Sequence, residues 1–385
     1  MKRILYFMHV NWGWIKQRPH FIAEFLSEEY DVTVFYRKSY RTRSLTPGSS
    51  DSKIKLKELF ILPFSRFKMI TSLNQWLIKK QLSGQFGNCD IVWLTHPDMY
   101  GLVMDDLSND AHVVYDCMDD ALEFPGVASS TSIRQQLESQ ENQLMTRSNT
   151  IFATAHYLKD KLLNRYTVKK NIHVINNAIN IYPENIDVNL SPELVSALSS
   201  TESKKIVYIG TLSEWLDFDL IIQTVEKFSN ITYILIGPTE VTIPQHRQIR
   251  HFPPVEHKSI HYIMKFADAL VMPFMINELI LAVNPVKVYE YIYSAKPAIV
   301  SKYQETERFS EFVYLYNSEA EYINLIEQVS TGDLLIKTDL EEYISYARRN
   351  TWTARVSEIS NLLEKYQHSA DTCDTGSALP VIGRG

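Results

Sequence analysis

Cysteine is scarce in this 385-residue chain: Cys89, Cys117 and Cys373 are odd in number, far apart, and fall into no metal-ligand spacing. A disulfide scaffold or a structural zinc site is thereby excluded, and a reducing, cytosolic setting is expected. Long apolar runs are also missing. No stretch approaches the roughly 20 apolar residues of a spanning helix. The opening MKRILYFMHV is interrupted by His9 and lacks a small-residue cleavage site, so it reads as a buried first strand. No repeat recurs at a fixed period, and 45% hydrophobic with 22% charged residues is ordinary for a folded chain. At this length two domains are expected.

The net charge of −6 hides an uneven distribution. Residues 1–178 carry 22 Lys/Arg against 18 Asp/Glu, and the basic excess concentrates between Arg37 and Lys80, where only Asp51 and Glu58 oppose it. Such a region is either a solvated face or a surface for anionic lipid or a phosphorylated acceptor. Within it, residues 66–83 mix Trp76 and several aliphatic side chains with lysines, a pattern that fits a core helix or one lying on a membrane surface.

Short apolar runs at 4–10, 32–36, 54–62, 91–94, 112–117, 150–155 and 172–176 read as strands, with amphipathic helices near 17–28, 66–83, 131–148 and 156–165 between them. After a polar connection at 177–193 the rhythm restarts. Strands are expected at 204–210, 231–237, 249–252, 269–274, 297–301 and 312–316, and helices at 214–228, 257–266 and 285–293. Alternation of this kind predicts α/β architecture, two doubly wound domains over 1–182 and 183–350 with a ligand cleft between them. A final helix over 351–367 is expected to precede a loose tail, 368–385.

The segment NPVKVYEYIYSAKPAIVS (284–301) carries the most chemistry. Asn284 as N-cap and Pro285 as first residue would start a helix whose free N–H groups, with those of Val286, attract an anion. A lysine in the first turn opposes the helix dipole, so Lys287 makes better sense beside a phosphate. Glu290, one turn on, suits ribose hydroxyls. Gly210 and Thr211 end a strand before a helix capped at Ser213, where a loop aims N–H groups at phosphate. Gly13 would let backbone approach a ligand. Asp217-Phe218-Asp219 has the form of a metal motif but falls in a helical pattern, so no metal is assigned to it.

NPVKVYEYIYSAKPAIV resembles the signature of GT-B glycosyltransferases, in particular the family-4-like enzymes of bacterial cell-surface polysaccharide synthesis. MHVNWGWIKQRPHFIAEFL (8–26), VVYDCMDD (113–120), IHVINNAINI (172–181), YIGTLSEWLDFDLI (208–221), LIGP (235–238) and FADALVMPF (266–274) are similar to further elements of that family, in the same order. The resemblance implies two Rossmann-like domains facing a cleft. It implies a nucleotide-diphosphate-sugar donor bound by the second domain, a glycan or lipid-linked acceptor on the first, and a last helix crossing back to the first domain. It further implies a cytoplasmic enzyme, possible contact with the inner membrane face through 37–80, no nucleic-acid partner, and no metal or other cofactor.

Donor contacts are expected from Gly13, Arg18, Gly210, Thr211, Asn284, Pro285, Val286, Lys287 and Glu290. Asp116, Asp119 and Asp120 are the candidate bases, Asp119 foremost, because transfer to a hydroxyl needs a proton acceptor. His96 is a weaker candidate. Ala282 stands where the family usually has Glu, and the cations that usually follow the Gly-x-Leu element are absent. A nucleotide-sugar epimerase or hydrolase, or a silent donor-binding subunit, therefore remains open beside the transferase.

Overall fold

The computed structural model describes residues 1–38, 53–63, 68–108, 110–167, 170–183 and 187–374. The first sheet is built from β1 (Arg3–Met8), β2 (Asp31–Lys38), β3 (Lys55–Phe60), β4 (Ile91–Leu94), β5 (His112–Cys117), β6 (Thr150–Ala153) and β7 (Ile172–Val174). They lie in the order β3-β2-β1-β4-β5-β6-β7, and every pairing is parallel. The second sheet holds β8 (Lys204–Ile209), β9 (Ile231–Ile236), β10 (Ile249–Phe252), β11 (Ala269–Met272), β12 (Ala298–Ser301) and β13 (Tyr314–Tyr316). Its order, β10-β9-β8-β11-β12-β13, is likewise all parallel. Both sheets reverse direction beside their first strand, β1 in one and β8 in the other. At such a switch point the loops leaving the carboxyl ends of adjacent strands diverge and leave a crevice.

Helices cover both faces, so the central strands are apolar without alternation; β4, β6, β11 and β12 are buried throughout. The two sheets are the GT-B architecture that the resemblance implied. Several boundaries differ from the sequence reading. The helix expected from 214 begins at Phe218, where Asp217 caps it by accepting from the Leu220 N–H at 3.0 Å. Ser213 instead donates to Glu240, 2.6 Å away. The Asp217-x-Asp219 pair is thus a cap and a first-turn acid. The polar connection is followed by a helix, Pro192–Ser199, capped by Ser191.

The last helix, Trp352–Asp374, runs seven residues past its expected end, so the start of the expected tail is helical; 375–385 lie outside the described residues. Trp352, Val356, Ile359 and Leu363 join the core of the first sheet. Trp352 stacks on Phe21 with ring centres 5.2 Å apart, an arrangement worth ~1 kcal/mol beyond the area it buries. No helix among the described residues is long and apolar enough to cross a membrane.

Candidate active site

The loops after β1, β5, β8 and β9 and the helix Val286–Ser294 close around a cleft cavity of about 360 Å³ between the two sheets. Its second-domain wall depends on two glycines. Gly210 follows β8 at φ +153°, and a Cβ there would lie 2.2 Å from Lys287 Cε. Gly237 follows β9 at φ +150°, and its Cβ would lie 2.0 Å from the Gly210 carbonyl oxygen. Both backbones are in a region that side chains resist, and both positions lack room. The pair lets two strand-end loops lie against each other and against the lysine.

Lys287 is half-buried at the start of its helix, with Nζ 5.5 Å from the Tyr208 ring centre and 5.6 Å from that of Phe274. Desolvation lowers its pKa, and Glu290 one turn away partly restores it. Three Lys/Arg side chains line the cleft. Lys16 pairs with Glu24 at 2.5 Å and Arg18 with Asp116 at 2.8 Å, which leaves Lys287 as the one without an acid against it among the described residues. A cation placed at the positive end of a helix and partly dehydrated is the arrangement that suits an anion.

The Asn284–Pro285 start differs from expectation. The helix begins at Val286 with Pro285 as N-cap, and no side chain caps it. Asn284 is buried and joins the domains instead: its Oδ1 accepts from the Asn177 N–H at 2.9 Å and its carbonyl from Asn177 Nδ2 at 2.7 Å. Its own amide donates to Glu305 at 3.2 Å. Pro285 and Val286 line the cleft beside it, as do Gly210, Thr211 and Glu290. Gly13 does not. It sits in the Asn11–Trp14 turn with its N–H on Asn11 Oδ1 at 2.8 Å, so it is a turn glycine.

Arg18 also lines the cleft, with most of its guanidinium engaged. Nε and Nη2 donate to Asp116 at 2.8–3.2 Å, and Nη1 donates to the Ile175 carbonyl at 2.8 Å. Both partners of this pair are buried, Asp116 completely. Arg18 therefore ties β5 to the segment after β7, and the pair withdraws Asp116 from the base role expected of it, while Arg18 keeps its place in the cleft lining with one Nη2 N–H that the pair does not use. Asp120 is withdrawn in the same way, into Arg165 at 2.6 Å and Lys161 at 2.9 Å. Those cations hold its carboxyl below the usual range.

Asp119 alone of the three acids lines the cleft, with no hydrogen bond or ion pair to its carboxylate among the described residues. Desolvation raises its pKa to about 6 against the opposing pull of Arg18 and His96. A carboxylate poised there accepts a proton near neutrality.

His96, the weaker candidate, is not among the residues that line the cleft and belongs to a cluster of its own. His96 Nδ1 lies 2.7 Å from Asp98, which also holds Arg37 at 2.6 Å. The His9 ring packs 4.9 Å from that of His96, and burial lowers the His9 pKa to about 3. His96, Pro97 and Asp98 form a helix start, the feature that could have drawn attention to them. Missed altogether was His257, from the turn after β10, whose Nε2 is 3.0 Å from Glu290 Oε1. It lies 33 residues from Glu290 in no recognisable pattern. Ala282, at the position where the resembled family carries Glu, is fully buried in an apolar cluster of the first domain, where a carboxylate would lack a partner.

Two all-parallel domains with an unpaired lysine at a helix start in the cleft between them have the form of GT-B glycosyltransferases. No protein-family model matches the chain. Among curated proteins it is 22% identical over 389 residues to "Putative teichuronic acid biosynthesis glycosyltransferase TuaH" of Bacillus subtilis (strain 168), covering 93% of this chain and 96% of that one. Among solved structures, sucrose-phosphate synthase from Thermosynechococcus elongatus aligns with a TM-score of 0.72 at 12% identity, over 96% of this chain and all of that one. Anabaena Alr3699/HepE, in complex with UDP and glucose, aligns at 0.65 and 13%, over 95% of this chain and all of that one. With this full-length sequence relationship and this fold, the chain is a glycosyltransferase.

Proposed function

We propose that the protein transfers a sugar from a nucleoside-diphosphate sugar, held by the second domain, to a hydroxyl of a glycan or lipid-linked acceptor presented by the first, in the synthesis of a surface polysaccharide. The observation that carries the reading is the pairing of opposites across one cleft: Lys287 and Asp119, neither of which has an ion pair among the described residues. Nζ of Lys287 and the helix start meet the diphosphate, and Glu290 meets the ribose. The acceptor oxygen attacks the anomeric carbon and gives its proton to Asp119. The bond from that carbon to the phosphate oxygen breaks, and the nucleoside diphosphate leaves with the electron pair. Lys287 stabilises the leaving charge where water is scarce, so the reading needs no metal. The UDP held by the Anabaena neighbour and the biosynthetic role in the Bacillus name favour a UDP-sugar and an envelope glycan.

A lipid-linked acceptor would bring the enzyme to a membrane surface. On the helix Lys68–Leu82, Met69, Leu73 and Trp76 are exposed in one stripe, with Lys80 over the Trp76 ring at 5.4 Å. Phe60 is exposed nearby, its N–H held by Gln81 of the same helix. The stripe suits peripheral attachment at the inner face of the membrane; the rest of the basic region, 39–52 and 64–67, lies outside the described residues.

The test is a thermal-shift and calorimetry screen with UDP, GDP, dTDP, CDP and CMP on the wild type, Lys287→Ala and Glu290→Ala, followed by turnover with acceptor. Stabilisation by one nucleoside diphosphate, lost in both variants, together with acceptor-dependent release of that nucleotide, is expected. No stabilisation by any nucleotide would overturn the donor site. Product from donor alone would make the protein an epimerase or hydrolase.

A further inference from the structure

We propose that His257 is a positioning residue for the nucleotide ribose: it fixes the Glu290 carboxylate and is itself held by the first domain and the linker. The inference rests on the donor reading above and deepens it. Glu290 Oε1 is 3.0 Å from His257 Nε2, and the other ring nitrogen, Nδ1, is 3.1 Å from the Tyr182 hydroxyl. An ionised carboxylate only accepts, so Nε2 carries a proton, and in the neutral ring Nδ1 accepts from the Tyr182 O–H. One directional chain results, from Tyr182 through His257 to Glu290. It leaves Oε2 of Glu290 without a partner among the described residues and faces the carboxylate toward the cleft it lines.

The imidazole is nearly buried, with 12% of its side chain exposed. The Phe21 ring meets it edge-on at 5.1 Å. Phe21 belongs to the helix Arg18–Leu26 of the first domain, Tyr182 to the connection between domains, and Glu290 to the second. The side chain that orients the ribose acceptor is thus clamped by all three parts of the chain. A carboxylate held in one rotamer loses less freedom on binding than a mobile one.

The experiment compares the ribo, 2′-deoxy and 3′-deoxy forms of UDP and GDP by calorimetry on the wild type, His257→Ala, His257→Gln and Tyr182→Phe. In the wild type, removing one ribose hydroxyl is expected to weaken binding ~10-fold, the scale of a lost hydrogen bond to a charged group. In His257→Ala that discrimination falls to within about twofold. His257→Gln, whose amide donates from nearly the position of Nε2, restores most of it, and Tyr182→Phe reduces it part-way. A merely structural role for His257 would weaken ribo and deoxy nucleotides alike. Equal weakening, or full discrimination kept in His257→Ala, overturns the inference and leaves the donor site standing. Failure of the wild type to bind any nucleotide removes the donor site and this inference together.

Discussion

A Cβ placed on Gly210 would lie 2.2 Å from Cε of Lys287, so the lysine of the helix Val286–Ser294 lies where it does against the loop after β8 because residue 210 has no side chain. The contact aims the lysine along the cleft and explains why its Nζ rests against the Tyr208 and Phe274 rings.

Gly210→Ala is expected to displace Lys287 and to weaken nucleotide binding ~10-fold, approaching Lys287→Ala, while stability falls by about 1–2 kcal/mol, mostly from backbone strain at φ +153°, since the far end of a lysine moves readily. Gly237→Ala strikes a backbone oxygen instead, 2.0 Å away. There the expected loss is stability, about 2–3 kcal/mol. Calorimetric titration and thermal melts on the two variants separate the effects; equal losses in both assays would refute the distinction.

Arg18→Ala leaves the fully buried Asp116 carboxylate without its cation. A cost of about 3–5 kcal/mol follows, from the uncompensated charge. Arg18→Met with Asp116→Leu should recover much of it, because removing both charges also removes the desolvation. Chemical unfolding of the single and double variants measures this. A destabilisation under 1 kcal/mol in Arg18→Ala would show that water reaches Asp116.

Asp119 gives a pH dependence with a definite sign. Its pKa is raised from 3.8 to about 6, so the folded state holds the proton more tightly than the unfolded chain. The stability this contributes is complete below the unfolded value and lost as pH rises through about 6. Asp119→Asn should therefore be more stable than wild type at pH 7, by about 1–3 kcal/mol after allowing for partial exposure, with the difference vanishing below pH ~4. As a base, Asp119 must be ionised, so wild-type turnover should fall about tenfold per pH unit below about 6. The variant should lose ~100-fold or more in kcat while binding nucleotide normally. A stability gain without loss of turnover would remove Asp119 from the chemistry.

Met69→Ser with Trp76→Ser should abolish flotation with vesicles of mixed phosphatidylglycerol and phosphatidylethanolamine, and leave turnover on a water-soluble acceptor intact. Added salt should weaken the wild-type attachment by screening Lys79 and Lys80. Persistent flotation of the double variant would place the membrane contact elsewhere.

The sheets were legible in the sequence because central parallel strands buried on both faces must be continuously apolar, and such runs sit where β4, β6, β11 and β12 form. Edge strands such as β3, with Lys55, Lys57 and Glu58, were read from alternation and spacing. The helix from 286 and the lysine in its first turn were legible for a similar reason, since Pro, backbone geometry and the helix dipole act within a few residues. Helix starts were less so. Asp217 rather than Ser213 caps its helix, and Asn284 bonds across to Asn177 instead of capping at all. What the sequence by itself determined is therefore the local part: strand, helix, turn glycine and the presence of charged candidates. Tertiary structure alone decided which candidates stay free. Asp116, Asp119 and Asp120 lie within five positions of one another, yet Arg18, 98 residues from Asp116, and Arg165, 45 from Asp120, withdraw two of them and leave Asp119 to the cleft. Ionic partners are chosen by distance in space, and a chain that folds back on itself sets that distance without leaving a pattern in its sequence.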